Sequence, residues 1–138
     1  MNIQSTINYC LGLNYRDLEN FAGENYVKIL NTLKQKHPGE KINSILIGSI
    51  FTCVACDGNL SDTETKFIQM FIGGYSYDSA FEVAKDFYNQ EAQDIVRDLY
   101  SSFSYDIKEA YVNLCIAVLA VDKKFNDIEK TFLYSIIN

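Results

Sequence analysis

At 138 residues, 48% of them apolar, the chain is long enough for one complete hydrophobic core and too short for two ordinary domains. A net charge of −6 and a pI near 4.7 argue against nucleic acid as a partner, because neutralising phosphates takes a clustered basic face. The same balance suits a cation site or a basic protein partner.

Helical periodicity runs through the chain. A short helix is expected before Leu11. Between Tyr15 and Lys36, the residues Leu18, Phe21, Ala22, Ile29 and Leu33 form an apolar stripe at three- and four-residue spacing. His37-Pro38-Gly39 ends that helix, since proline cannot continue the backbone ladder. The next helix, about Lys41 to Asp57, is nearly apolar from Ile45 to Cys56 and is the expected centre of the bundle. A helix over Ser61 to Ile72 stops at Gly73-Gly74. Two amphipathic pieces follow, about Asp78 to Tyr88 and Glu91 to Ser101. Asp106-Ile107-Lys108-Glu109 has the form of a capping box opening a long apolar helix to Val121, and a last helix covers about Asn126 to Ile137. No alternating run is bounded by hairpin dipeptides, so the expected fold is all-α: one compact domain, residues 1–138, of about seven or eight helices.

Two stretches of this chain are copies of one another. Sliding the sequence by 65 residues, from Asp57 to Asp122, aligns them without a gap. It pairs Ala55 with Ala120, Asp62 with Asp127, Glu64 with Glu129, Phe67 with Phe132 and Ile72 with Ile137. The duplication predicts two related helix-turn-helix hairpins. In the first, Gly58 closes the preceding helix in the left-handed conformation, Leu60 enters the core, and Ser61 caps the next helix with Glu64 bonding back. In the second, Asn126 takes the place of Ser61, Phe125 that of Leu60, and Glu129 keeps the box position. Asp62 and Asp127 fall in first helical turns, where negative charge is favoured.

Asp57 and Asp122 do not fit that purely structural account, because a carboxylate at a helix C-terminus faces the negative end of the dipole. Something must offset each one. A shared divalent cation, Mg²⁺ or Ca²⁺, held by Asp57, Glu64, Asp122 and Glu129, with Asn59 as a further oxygen donor, would do so. So would an ion pair from Lys123 or Lys124. The pattern is not an EF-hand: counted from Asp57, Asp62 stands at the sixth position, which needs glycine, and Ile68 at the twelfth, which needs glutamate.

At Ala55-Cys56-Asp57-Gly58-Asn59-Leu60-Ser61-Asp62-Thr63-Glu64 the chain resembles the tellurite-resistance TerB-like family. A weaker acidic copy follows at Ala120-Val121-Asp122 with Glu129. The resemblance covers residues 41 to 138 in organisation and about ten residues per copy in detail. It implies a compact helical bundle from a bacterial cytoplasm, linked to chemical stress or phage defence, with a metal site at Asp57, Glu64, Asp122 and Glu129. The chain departs from the pattern at Lys123, where glycine is expected.

Other motifs carry less. Cys53-Val54-Ala55-Cys56 sits in the last turn of a helix, where the dipole disfavours a thiolate, and the duplication aligns Cys53 and Cys56 with Val118 and Val121. Both are therefore expected to be small core groups. Met1 to Leu13 lacks a basic leader region, and the longest apolar run, Leu114 to Val121, is far short of a membrane span. The expectation is a cytoplasmic protein, with Cys10, Cys53, Cys56 and Cys115 reduced and no membrane partner. His37 is alone, which opposes a histidine-based triad, and no P-loop occurs. Many of the ten tyrosines are expected at core edges with their hydroxyls at the surface, while Gly73 to Tyr77 has the composition of a recognition loop. The leading expectation is a non-enzymatic module that binds a divalent cation weakly or docks a protein partner through its acidic turns. The alternatives are a small acidic immunity protein or antitoxin that covers a basic toxin or nuclease, and a metal-assisted hydrolase needing two cations.

Overall fold

The computed structural model describes residues 2–36, 42–54, 61–72, 90–123 and 125–137. These form seven α-helices and, among the described residues, no strand: α1 (Ile3–Leu11), α2 (Tyr15–Lys36), α3 (Ile42–Val54), α4 (Asp62–Ile72), α5 (Gln90–Ser101), α6 (Tyr105–Ala120) and α7 (Asp127–Ile137). The all-α expectation holds. The helix expected over Asp78 to Tyr88 lies outside the described residues, as do His37-Pro38-Gly39 and the Gly73 to Tyr77 loop.

Local chemistry starts the first two helices. Asn2 accepts a hydrogen bond from the Ser5 N–H at 2.9 Å, and Asn14 accepts one from the Asp17 N–H at 2.8 Å. Each side chain satisfies a backbone donor that the first helical turn leaves without an intrahelical partner.

The bundle is centred on α6, which packs against all six of the other helices. The expectation that the helix beginning near Lys41 would be central is therefore corrected. That helix, α3, is buried from Ser49 to Val54 but makes its main contacts with four helices, α2, α5, α6 and α7. Every residue of α6 from Ala110 to Ala120 except Asn113 is buried, and the alanines at 110, 117 and 120 let neighbouring helices approach closely. One continuous core draws on every helix: Ile3, Leu18, Leu46, Phe67, Val96, Ile107 and Phe132 all belong to it.

The start of α6 also departs from expectation. Asp106 is not its cap. Ser104 is the capping residue, with extended backbone (φ −62°, ψ 159°), and its carbonyl accepts from the N–H groups of Ile107 and Lys108, both at 3.1 Å. Phe103 and Ile107 are both buried, and a spacing of four between them puts the turn into the helix at Ser104. Asp106 falls inside the first turn, where its charge favours the helix through the dipole instead of through a box.

The two hairpins of the duplication, α3 with α4 and α6 with α7, cross-pack: α3 touches α7 and α4 touches α6. A polar network runs through the same region. Tyr111 donates its hydroxyl to the Ser49 carbonyl at 2.6 Å, and the hydroxyls of Tyr100 and Ser49 lie 3.1 Å apart. The two tyrosine rings stack with centroids 4.2 Å apart. Both tyrosines are fully buried, contrary to the expectation of surface hydroxyls, because the α3 backbone and Ser49 supply the partners that water would otherwise provide. Tyr105 and Tyr134 do keep to the surface. Cys10, Cys53 and Cys115 are buried, in line with the reading of Cys53 as a core group, and burial pushes the Cys10 thiol up to about 12. Cys56 lies outside the described residues.

Candidate functional site

Each hairpin brings one capping box to the same end of the bundle. In the first, the Ser61 N–H donates to Glu64 Oε1 at 3.0 Å, and the Glu64 N–H donates back to Ser61 Oγ at 3.0 Å. In the second, the Asn126 N–H donates to Glu129 Oε1 at 2.9 Å, and the Glu129 N–H donates to Asn126 Oδ1 at 2.8 Å. These are the reciprocal pairs that the repeated spacing predicts, and each cap stabilises its helix by about 1 kcal/mol. Phe125, aligned with Leu60, packs partly buried against the core. Leu60 lies outside the described residues.

The corners are joined directly. The Ser61 hydroxyl donates to Asp122 Oδ2, from the cap of α4 to the turn after α6. Ser61 Oγ thus has two roles, accepting from the Glu64 backbone and donating to Asp122. This bond supplies an offset that Asp122 needs at a helix C-terminus: a charge-assisted hydrogen bond compensates for the unfavourable end of the dipole. The sequence marks Ser61 only as a cap. The signal for its second role is the misplaced acid itself, which calls for a donor from elsewhere.

Glu64 and Glu129 are both buried, each only 6% exposed, and Asp122 is half-buried. Burial pushes the Glu64 carboxyl up to about 7. The Ser61 hydrogen bonds oppose that rise, and the nearby charges of Asp122 and Glu129 add to it. Three of the four expected site residues therefore share one electrostatic neighbourhood. Asp57, the fourth, lies outside the described residues, as do Asn59 and Lys124. Among the described residues no three acidic, histidine or cysteine side chains close around a single point as a complete ion shell would require.

Lys123 occupies the position that the duplication aligns with Gly58. It is the one non-glycine residue with positive φ among those described (56°), and its N–H donates to the Ala120 carbonyl at 2.9 Å. The left-handed residue that ends a hairpin's first helix is thus present in the second copy, and lysine adopts it in place of glycine. Its side chain makes no ion pair with Asp122 among the described residues, so the lysine alternative for offsetting Asp122 is not realised at Lys123, and Lys124 lies outside the described residues.

No family model matches the chain, and no characterised protein and no solved structure shows significant similarity to it.

The left-handed lysine and the buried glutamate each have a measurable effect on stability. Lys123→Gly should raise it by ~0.5–1 kcal/mol in urea denaturation, because glycine removes the left-handed strain while costing some unfolded-state entropy. Lys123→Val should lower it. For Glu64, the folded carboxyl binds its proton more tightly than the unfolded one, so the native state holds more protons between about 4.5 and about 7. Its contribution to stability is present below that window and is lost as pH rises through it. Glu64→Gln keeps the capping box, since glutamine also serves at that position, and should flatten this part of the pH–stability curve. An unchanged slope would mean that Glu64 titrates as an ordinary surface acid.

Proposed function

We propose that the chain is a non-enzymatic, TerB-like helical module whose paired acidic corner takes up a divalent cation, Mg²⁺ or Ca²⁺, with weak affinity. The observation that carries the reading is the buried Glu64 carboxyl lying within electrostatic range of Asp122 and Glu129. Gathering like charges in a partly desolvated corner is costly, and a cation there relieves that cost. Asp122, Glu64 and Glu129 are the described carboxylates that would hold it, with Asp57 as the fourth that the duplication adds. The capping boxes use Oε1 of each glutamate, and a hard cation of this kind commonly completes its shell with water. Bound there, the ion supplies charge neutralisation and a clamp between the two hairpins, with no chemistry on a substrate. A role in bacterial stress or defence is what the family resemblance adds to this reading.

Thermal melts with and without millimolar Mg²⁺, Ca²⁺ and Mn²⁺ test it. At ten times the dissociation constant an ion specific to the folded state stabilises by roughly 1.4 kcal/mol, a rise of about 5 °C. The response should be larger at pH 8 than at pH 6, because the ion competes with the proton on Glu64. It should disappear in Glu64→Gln and in Asp122→Asn. Melts indifferent to every ion would leave the corner as two well-capped helix ends and nothing more.

A further inference from the structure

Away from the acidic corner, α2 and α4 enclose an open groove of 610 Å³, lined by Glu19, Asn20, Gly23, Glu24 and Val27 from α2 and by Met70 from α4. Its lining residues are distinct from those of the corner, so the function of the groove is independent of the cation reading. Three observations bear on what the groove is for.

The first is its floor. Gly23 lies in the interior of a helix of 22 residues, where glycine is the least favourable residue after proline. A Cβ placed there meets no atom within 4 Å, so packing among the described residues does not call for glycine. A mid-helix glycine with open space above it leaves room for another surface to approach the backbone closely. The second is its walls. Val27 is 51% exposed and Met70 57%, so two apolar side chains face solvent on either side of that floor. Methionine is well suited to such a place, since its flexible thioether adapts to what it meets. The third is its charge. Glu19 and Glu24 line the groove, and among the described residues no basic residue lines it and neither glutamate forms an ion pair.

We propose that this groove docks a basic amphipathic helix of a partner protein, with one bulky apolar side chain seated over Gly23 between Val27 and Met70. Lysines or arginines flanking that side chain would meet Glu19, one turn before Gly23, and Glu24 beside it. From Glu19 to Val27 the helix rises ~12 Å, about the length of two turns of a partner helix laid along it. A second copy of this chain suits the groove poorly, because a two-fold contact through this face would bring the same glutamates of both copies together. The acidic rim disfavours nucleic acid and anionic lipid in the same way.

The test uses the full chain and a synthetic helical peptide with leucines at i, i+4 spacing flanked by lysines, followed by heteronuclear NMR. Binding should shift the signals of Gly23, Val27 and the Met70 methyl. It should weaken at least tenfold in Gly23→Leu, which fills the floor, and about fivefold in the double variant Glu19→Gln/Glu24→Gln, with a shallower salt dependence. Gly23→Ala should fold with a melting temperature no lower than that of the parent. Should Gly23→Leu disturb the fold, Met70→Gln at an exposed position gives the same reading of the wall. The proposal is overturned if the lysine peptide does not bind, if its shifts map elsewhere, or if a glutamate counterpart binds equally well. Concentration-dependent self-association abolished by Gly23→Leu would overturn it in favour of a second copy.

Discussion

One hydrogen bond joins the acidic corners of the two hairpins: the Ser61 hydroxyl of the first on the Asp122 carboxylate of the second. The rest of the acidic corner depends on it. It brings the α4 cap to the turn after α6, and with it Glu64 into range of both Asp122 and Glu129. A charge-assisted bond of this kind is worth ~1.5–3 kcal/mol, more than a single cap. It also resolves the electrostatic problem of an aspartate at a helix C-terminus within the protein itself. Any cation would therefore bind on top of a corner already partly compensated, which is consistent with weak affinity.

The surrounding core holds that corner in place. α4 packs on α6 and α3 on α7, so each hairpin is braced by the other's opposite helix. The Tyr15 ring meets Phe67 edge-on at 5.5 Å and ties α2 to α4. On the far side Arg97 lies 5.3 Å over the Phe132 ring and donates from Nε to Ser135 Oγ at 2.9 Å, tying α5 to α7. Phe67 and Phe132 are the aligned aromatics of the duplication, and both are buried. The repeat thus places equivalent anchors under equivalent turns. Between the hairpins, the Tyr100, Tyr111 and Ser49 network fixes the register with which α3 meets α5 and α6. Such a network is directional, and sliding one helix past another would leave buried hydroxyls without partners.

What can be read from the residues divides by the range of the interaction. The helices and both capping boxes are legible because they rest on spacings of three and four residues. The two hairpins are legible because the sequence is written twice. The bonds that organise the fold are not, since Ser61 and Asp122 stand 61 residues apart and Ser49 and Tyr111 stand 62 apart. Tyr100 and Tyr111 sit on the apolar faces of their helices, which marks them for burial, but nothing local reveals where their hydroxyls find partners. Asp106 fails as a cap for a related reason: the burial of Phe103 and Ile107 chooses the helix start over the local motif. At Lys123 the duplication is a better guide to backbone than residue type, because lysine takes the left-handed conformation expected of a glycine. The groove carries one sequence signal, a glycine inside a strong helix, whose meaning depends on what α4 places beside it.

The most direct measurement is a double-mutant cycle on Ser61→Ala and Asp122→Ala, followed by urea denaturation of the four proteins. Ser61→Ala alone also removes a cap, so the interaction appears only in the cross term. A coupling of ~1.5–3 kcal/mol is expected for a partly buried hydroxyl–carboxylate pair. Additive losses, with a coupling indistinguishable from zero, would mean that the two corners do not communicate, and the joint acidic site would be contradicted.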